Sequence, residues 1–74
     1  MKDEFVFKPY GKSELGQMYV KNPLSRRAAL EWINHEIASY PGLLTRLREL
    51  GYHRKQRMFT IAQVRAIVDA IGEP

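Results

Sequence analysis

The sequence predicts a mainly α fold: four short helices with a minimal two-stranded β element, laid out like a winged helix-turn-helix. Three observations predict it. Apolar residues recur at helical spacing in four stretches, capping residues open three of them, and only Phe5-Val6-Phe7 and Arg57-Met58-Phe59 read as short strands. With 74 residues the chain makes a single domain with a small core.

The elements follow in order. Phe5-Val6-Phe7 alternates between two faces and ends at Lys8-Pro9-Tyr10-Gly11, where proline and glycine punctuate the chain. An isolated strand leaves its backbone groups unpaired, so its expected partner is Arg57-Met58-Phe59. Ser13 is the expected N-cap of a first helix from Glu14 to about Val20, which would bury Leu15, Met18 and Tyr19. Gly16 costs this helix about 1 kcal/mol against alanine, which means either close approach by another backbone or simple tolerance. Lys21-Asn22-Pro23-Leu24 breaks the helix and Ser25 caps the next, Arg26 to about Ala38, with Ala29, Leu30, Ile33 and Ile37 on one apolar stripe. Arg27, Glu31, Asn34 and His35 take the opposite side, with Trp32 on the border.

Tyr40-Pro41-Gly42 starts a third helix whose stripe is Leu43, Leu44, Leu47 and Leu50, and Gly51 stops it as a left-handed residue with Tyr52 in the accompanying apolar contact. Thr60 and Gln63 form a Thr-x-x-Gln capping box for the last helix, and Phe59 with Val64 adds a hydrophobic staple. Val64, Ile67, Val68 and Ile71 line its buried face, and Gly72 ends it. There is no internal repeat.

Composition bounds the function. The absence of cysteine points to a reducing, cytoplasmic location. Nothing in Met1–Pro9 has the apolar run of a signal peptide, and no later stretch reaches membrane-spanning length, so no membrane partner is expected. Twelve Lys and Arg against eight Asp and Glu give +4. That excess is concentrated between Arg46 and Arg65, where Arg46, Arg48, Arg54, Lys55, Arg57 and Arg65 face Glu49 alone. Such localisation suits an anion-binding footprint, and equally a solvated basic face.

Two constellations carry the functional reading. A short helix, a four-residue turn and a longer helix have helix-turn-helix proportions, shared by nonbinding helical hairpins. On the functional reading the N-terminal part of the longer helix meets the major groove. Arg26 and Arg27 then reach phosphate or guanine, Asn34 reads adenine, and Glu31 counts against the contact unless it accepts from cytosine or pairs with Arg27. The basic turn between Gly51 and Thr60 resembles a wing, in which Arg54, Lys55 and Arg57 would add phosphate affinity and Gln56 a neutral hydrogen-bonding group. A tight turn must be polar in any case.

Catalysis has little support. There is no Ser-His-Asp arrangement, Glu31 and His35 are too few for a metal, and Gly11-Lys12-Ser13 lacks the preceding glycine of a phosphate loop, so Lys12-Ser13 reads as the start of a helix. No enzyme activity, metal or cofactor is expected. The aromatics are scattered as core residues, with only Tyr52 and Phe59 approaching a base-stacking platform.

Tyr10-Gly11-Lys12-Ser13-Glu14-Leu15, Leu50-Gly51-Tyr52, Phe59-Thr60, Gln63-Val64 and the ending Ile71-Gly72-Glu73-Pro74 resemble a family of short gut-bacterial proteins classed as a domain of unknown function. The resemblance implies no activity, and the chain departs from it at Gly16, where alanine is expected. A partial similarity to MerR-type and excisionase-type DNA-binding domains implies contacts by Arg27, Arg54, Lys55 and Arg57, with the leucine-rich helix Leu43–Leu50 as a departure. The reading is therefore a helix-turn-helix protein that binds double-stranded DNA and regulates a mobile element or local operon. The alternative is a small protein-interaction module, as a homodimer or with another protein.

Overall fold

Four helices and one antiparallel strand pair form the computed structural model, which describes residues 5–74; residues 1–4 of the Met1–Pro9 segment lie outside it. In chain order they are β1 (Tyr10–Gly11), α1 (Lys12–Tyr19), α2 (Arg26–Ser39), α3 (Leu43–Glu49), β2 (Met58–Phe59) and α4 (Ile61–Ile71). The four-helix, two-strand expectation holds. The position of the first strand does not.

β2 pairs with Tyr10–Gly11, in the register Tyr10 to Phe59 and Gly11 to Met58, and not with Phe5-Val6-Phe7. This register buries both the Tyr10 and the Phe59 ring, and it continues directly into α1, whose first amide, on Lys12, donates to the Arg57 carbonyl at 2.9 Å. The segment before β1 instead folds back over the sheet. Phe5 stacks on Tyr10 with centroids 5.4 Å apart, Phe7 meets Phe5 edge-on, and the Tyr10 hydroxyl donates to the Val6 carbonyl. The alternation seen in the sequence is real, with Val6 exposed between two half-buried rings, but packing rather than a ladder uses it.

α1 starts at Lys12, two residues earlier than a Ser13 cap would allow. Gly11 is the N-cap, and having no side chain it supplies only half a capping box, in which the Glu14 carboxylate accepts from the Gly11 amide at 3.2 Å. Ser13 lies within the first turn. Leu15 is fully buried and Tyr19 half-buried as expected, whereas Met18 is exposed and Lys12 and Gly16 are buried in its place. Gly16 is there for close approach: a Cβ at this position would stand 2.4 Å from the Ala29 carbonyl oxygen of α2, so alanine does not fit.

Ser25 caps α2 by accepting from the Ala28 amide at 3.1 Å, and Ala29, Ile33 and Ile37 carry its buried stripe. Trp32 stacks on Tyr19, with centroids 5.6 Å apart. α3 buries Leu43 and Leu47, but Leu50 is exposed because it is the C-cap, beyond the last helical turn, and turns its carbonyl inward instead. Gly51 stops the helix at φ 87°. The Tyr52 amide reaches back to Leu47 and the Gly51 amide to Arg48, the paired bonds of a Schellman motif.

α4 begins with the full Thr60–Gln63 box: each side chain accepts from the other residue's backbone amide, at 3.2 and 3.0 Å. Val64 and Ile67 are fully buried, Val68 and Ile71 partly so, and Gly72 ends the helix with positive φ. Gln63 is itself buried and three of its four side-chain hydrogen-bonding positions are used, since Oε1 also accepts from Gln56 and Nε2 donates to the Leu50 carbonyl. One side chain thereby ties together the end of α3, the basic turn and the start of α4.

Candidate nucleic-acid interface

The basic turn runs from the end of α3 to β2, and its shape comes from three side chains. Gln56 holds it from within: its Oε1 accepts from the His53 amide, and its Nε2 donates to the Met58 carbonyl and to Gln63. The Gln56 amide in turn donates to the His53 carbonyl, so the turn closes on itself. Gln56 is thus a structural member of the turn rather than a group offered to a ligand. Because β2 pairs with β1 and not with the chain before it, the turn is no hairpin tip but a fastened crossing loop.

The third fastening comes from Lys12. The residue is 2% exposed, and its ammonium donates to the Tyr52 hydroxyl at 2.8 Å and to the Arg54 carbonyl at 3.0 Å. The same ammonium stands 5.0 Å from the Tyr52 ring centroid and 5.9 Å from that of Phe59. Burial, and then the nearby Arg54 guanidinium, hold the Lys12 pKa below its ordinary value, while burial raises that of the Tyr52 phenol. Tyr52 and Phe59 stack on each other inside the core, so they provide a floor for Lys12 and not a base-stacking platform.

Arg26, Arg27, Asn34, Arg54, Lys55 and Arg57, the residues singled out by sequence, all line one cleft of about 910 Å³. Arg26 and Arg27 come from the first turn of α2 and Asn34 from two turns further along. The basic turn supplies the opposing three, Lys12 and Ser13 join from α1, and no carboxylate among the described residues lines the cleft. Glu31 is drawn away: it pairs with Arg27 at 3.3 Å on the solvent side and lines an adjoining cleft of about 440 Å³, which shares Asn34 and Arg54 with the first.

The basic window between Arg46 and Arg65 does not survive as one surface. Arg46 pairs with Asp69 on α4, Arg65 lies over the Phe7 ring, and Arg48 lines only the adjoining cleft. The cations that do converge are those of the turn, together with two on α2 that lie outside the window. Lys12 was missed as a member. A Ser13 cap leaves Lys12 outside the helix, and only the structure puts this cation at the first helical position, where the dipole disfavours it unless something else holds it there.

Glu31 and His35 share the adjoining cleft, and no group of three metal-ligating side chains occurs among the described residues. Likewise, no described helix is long and apolar enough to cross a membrane. A family model described as "Domain of unknown function (DUF4248)" matches residues 6–74. No curated protein and no solved structure matches the chain.

Proposed function

We propose that this chain, which belongs to the DUF4248 family of domains of unknown function, binds double-stranded DNA through the cleft between α2 and the basic turn. One observation carries the reading: Arg26, Arg27, Arg54, Lys55, Arg57 and Lys12 converge from three parts of the chain on one concavity, with no carboxylate among the described residues that line it. Bringing so many like charges together is unfavourable unless a polyanion neutralises them.

The mechanism follows from the two walls. α1 and α2 pack closely enough at Gly16 to act as a helix-turn-helix unit, with the exposed first turn of α2 presented to the major groove. A sugar-phosphate strand lies in the cleft, between α2 on one side and the turn on the other. Arg54, Lys55 and Arg57 neutralise its phosphates without reading sequence, and Asn34 is the one uncharged polar side chain of α2 placed to read a base edge.

The test is a titration on duplex DNA comparing the wild type with the Arg54→Ala/Arg57→Ala double variant. The expected result is a loss of affinity of tenfold or more, roughly uniform across sequences. Equal affinity in the two proteins excludes the turn as a contact. A second reading, a protein-interaction module, draws on the exposure of Met58, Ile61 and Leu50. Binding held by apolar burial would depend little on salt.

A further inference from the structure

Lys12 poses a question that the general charge of the cleft does not answer. A lysine ammonium has three N–H donors, and two are taken by the Tyr52 hydroxyl and the Arg54 carbonyl. Neither acceptor is an anion. Among the described residues the ion pairs are Arg27 with Glu31 and Arg46 with Asp69, and Lys12 belongs to neither. The two aromatic rings attract the charge, and the positive Arg54 side chain repels it. A buried charge normally has an opposite charge or a full set of hydrogen bonds, and this one has neither.

The position of Lys12 indicates what completes it. Although buried, Lys12 forms part of the wall of the cleft, next to Ser13 and against the basic turn, whose Arg54 carbonyl it holds. We propose that the Lys12 ammonium and the side chains of the basic turn form a discrete oxyanion site at the floor of the cleft, which takes one phosphate group. The third N–H of Lys12 donates to a phosphate oxygen, and Arg54 supplies the second cation. The anion then relieves the repulsion between the two, and the bond is a charge-assisted one made in a partly desolvated place. The site gives the proposed DNA interface one fixed phosphate position, on which its diffuse contacts are registered. That last role rests on the DNA reading, whereas the oxyanion site does not.

The same chemistry is offered by an internal phosphodiester, a terminal phosphate or free phosphate. Inorganic phosphate is therefore titrated into the full chain at constant ionic strength, with chloride as the exchanged ion, and followed by thermal unfolding and by backbone amide NMR shifts. The expected result is a saturable rise in melting temperature, with the largest shifts at Lys12, Ser13 and Arg54. Lys12→Met should weaken binding about tenfold or more, while Lys21→Ala, outside the cleft, leaves it nearly unchanged. A response that never saturates, or shifts centred on Arg26 and Arg27, overturns the site, and the wild-type shifts decide this even if Lys12→Met fails to fold. Two 12-mer single strands, with and without a 5′-phosphate, separate the sources. Preference for the phosphorylated strand assigns the site to terminal phosphate, and equal binding assigns it to the backbone; either supports an oxyanion site. Saturable phosphate binding without any duplex binding upholds the site and removes the DNA reading. Duplex binding without saturable phosphate binding does the reverse.

Discussion

The two walls of the cleft carry similar charge but are built by opposite means. The α2 wall is regular structure: Arg26 and Arg27 project from the first turn of a capped helix held by apolar burial of Ala29, Ile33 and Ile37 and by the close approach at Gly16. The turn wall has no regular structure between Gly51 and Met58. It is held by buried or half-buried polar side chains, Lys12, Gln56 and Gln63, which bond the His53 amide and the Leu50, Arg54 and Met58 carbonyls. A helix presents a charge on a backbone that is already satisfied, whereas a loop is held in one shape by the side chains that bond its backbone. The two walls should therefore fail differently.

The largest effect is expected at the helical wall. Gly16→Ala places a methyl group 2.4 Å from the Ala29 carbonyl oxygen, so α1 and α2 must separate. We expect a loss of about 3 kcal/mol in urea unfolding, which exceeds the roughly 1 kcal/mol that alanine adds through helix propensity. A stabilised variant would show that the approach is not tight.

At the turn wall the expected effect is smaller in stability and more local. Gln63→Ala leaves the Leu50 carbonyl, the Thr60 amide and one Gln56 donor without their partner, at a cost of about 2 kcal/mol. Amide hydrogen exchange should accelerate first across His53–Met58, while α2 keeps its protection. Uniform acceleration over both walls would contradict the separation.

The smallest effect distinguishes neither wall but tests the frame behind them. The Tyr19 hydroxyl donates to the Gly72 carbonyl, and its pKa is pushed up to about 12, first by burial and then by Glu73 and Tyr40. Its folded pKa lies above the unfolded value, so its contribution is complete below pH 10 and is lost as pH rises from 10 to about 12. Lys12 acts in the opposite sense. Its lowered folded pKa makes the unfolded chain bind more protons, so stability rises with pH from that lowered value up to 10.5. Tyr19→Phe should cost about 1 kcal/mol near neutrality, and the difference from wild type should shrink between pH 10 and 12. A constant difference over that range would contradict the shift.

What the sequence made legible divides along the same line. Ser25, Thr60 with Gln63, and Gly51 were readable because caps and stops are local, each joining a side chain or a permissive φ to backbone within a few residues. The strand was misplaced because a two-residue pairing has almost no local signature, and a register that buries both Tyr10 and Phe59 is decided by residues about fifty positions apart. The burial of Lys12 depends on Tyr52, forty positions away, and nothing near Lys12 reports that contact. For the site, the residue types were legible, and their convergence was not. Charge along the chain pointed to a window reaching Arg65, yet the fold gives Arg46 to Asp69 and Arg65 to Phe7, and recruits Arg26 and Arg27 in their place.

The central claim is that both walls act on one polyanion, and the salt dependence of duplex binding measures this most directly. With about four phosphates neutralised, log affinity should fall against log salt concentration with a slope of about −3 to −4. Arg27→Ala in one wall and Arg57→Ala in the other should each make that slope shallower by about 1. A slope near zero in the wild type, or a slope changed by only one of the two substitutions, would contradict it.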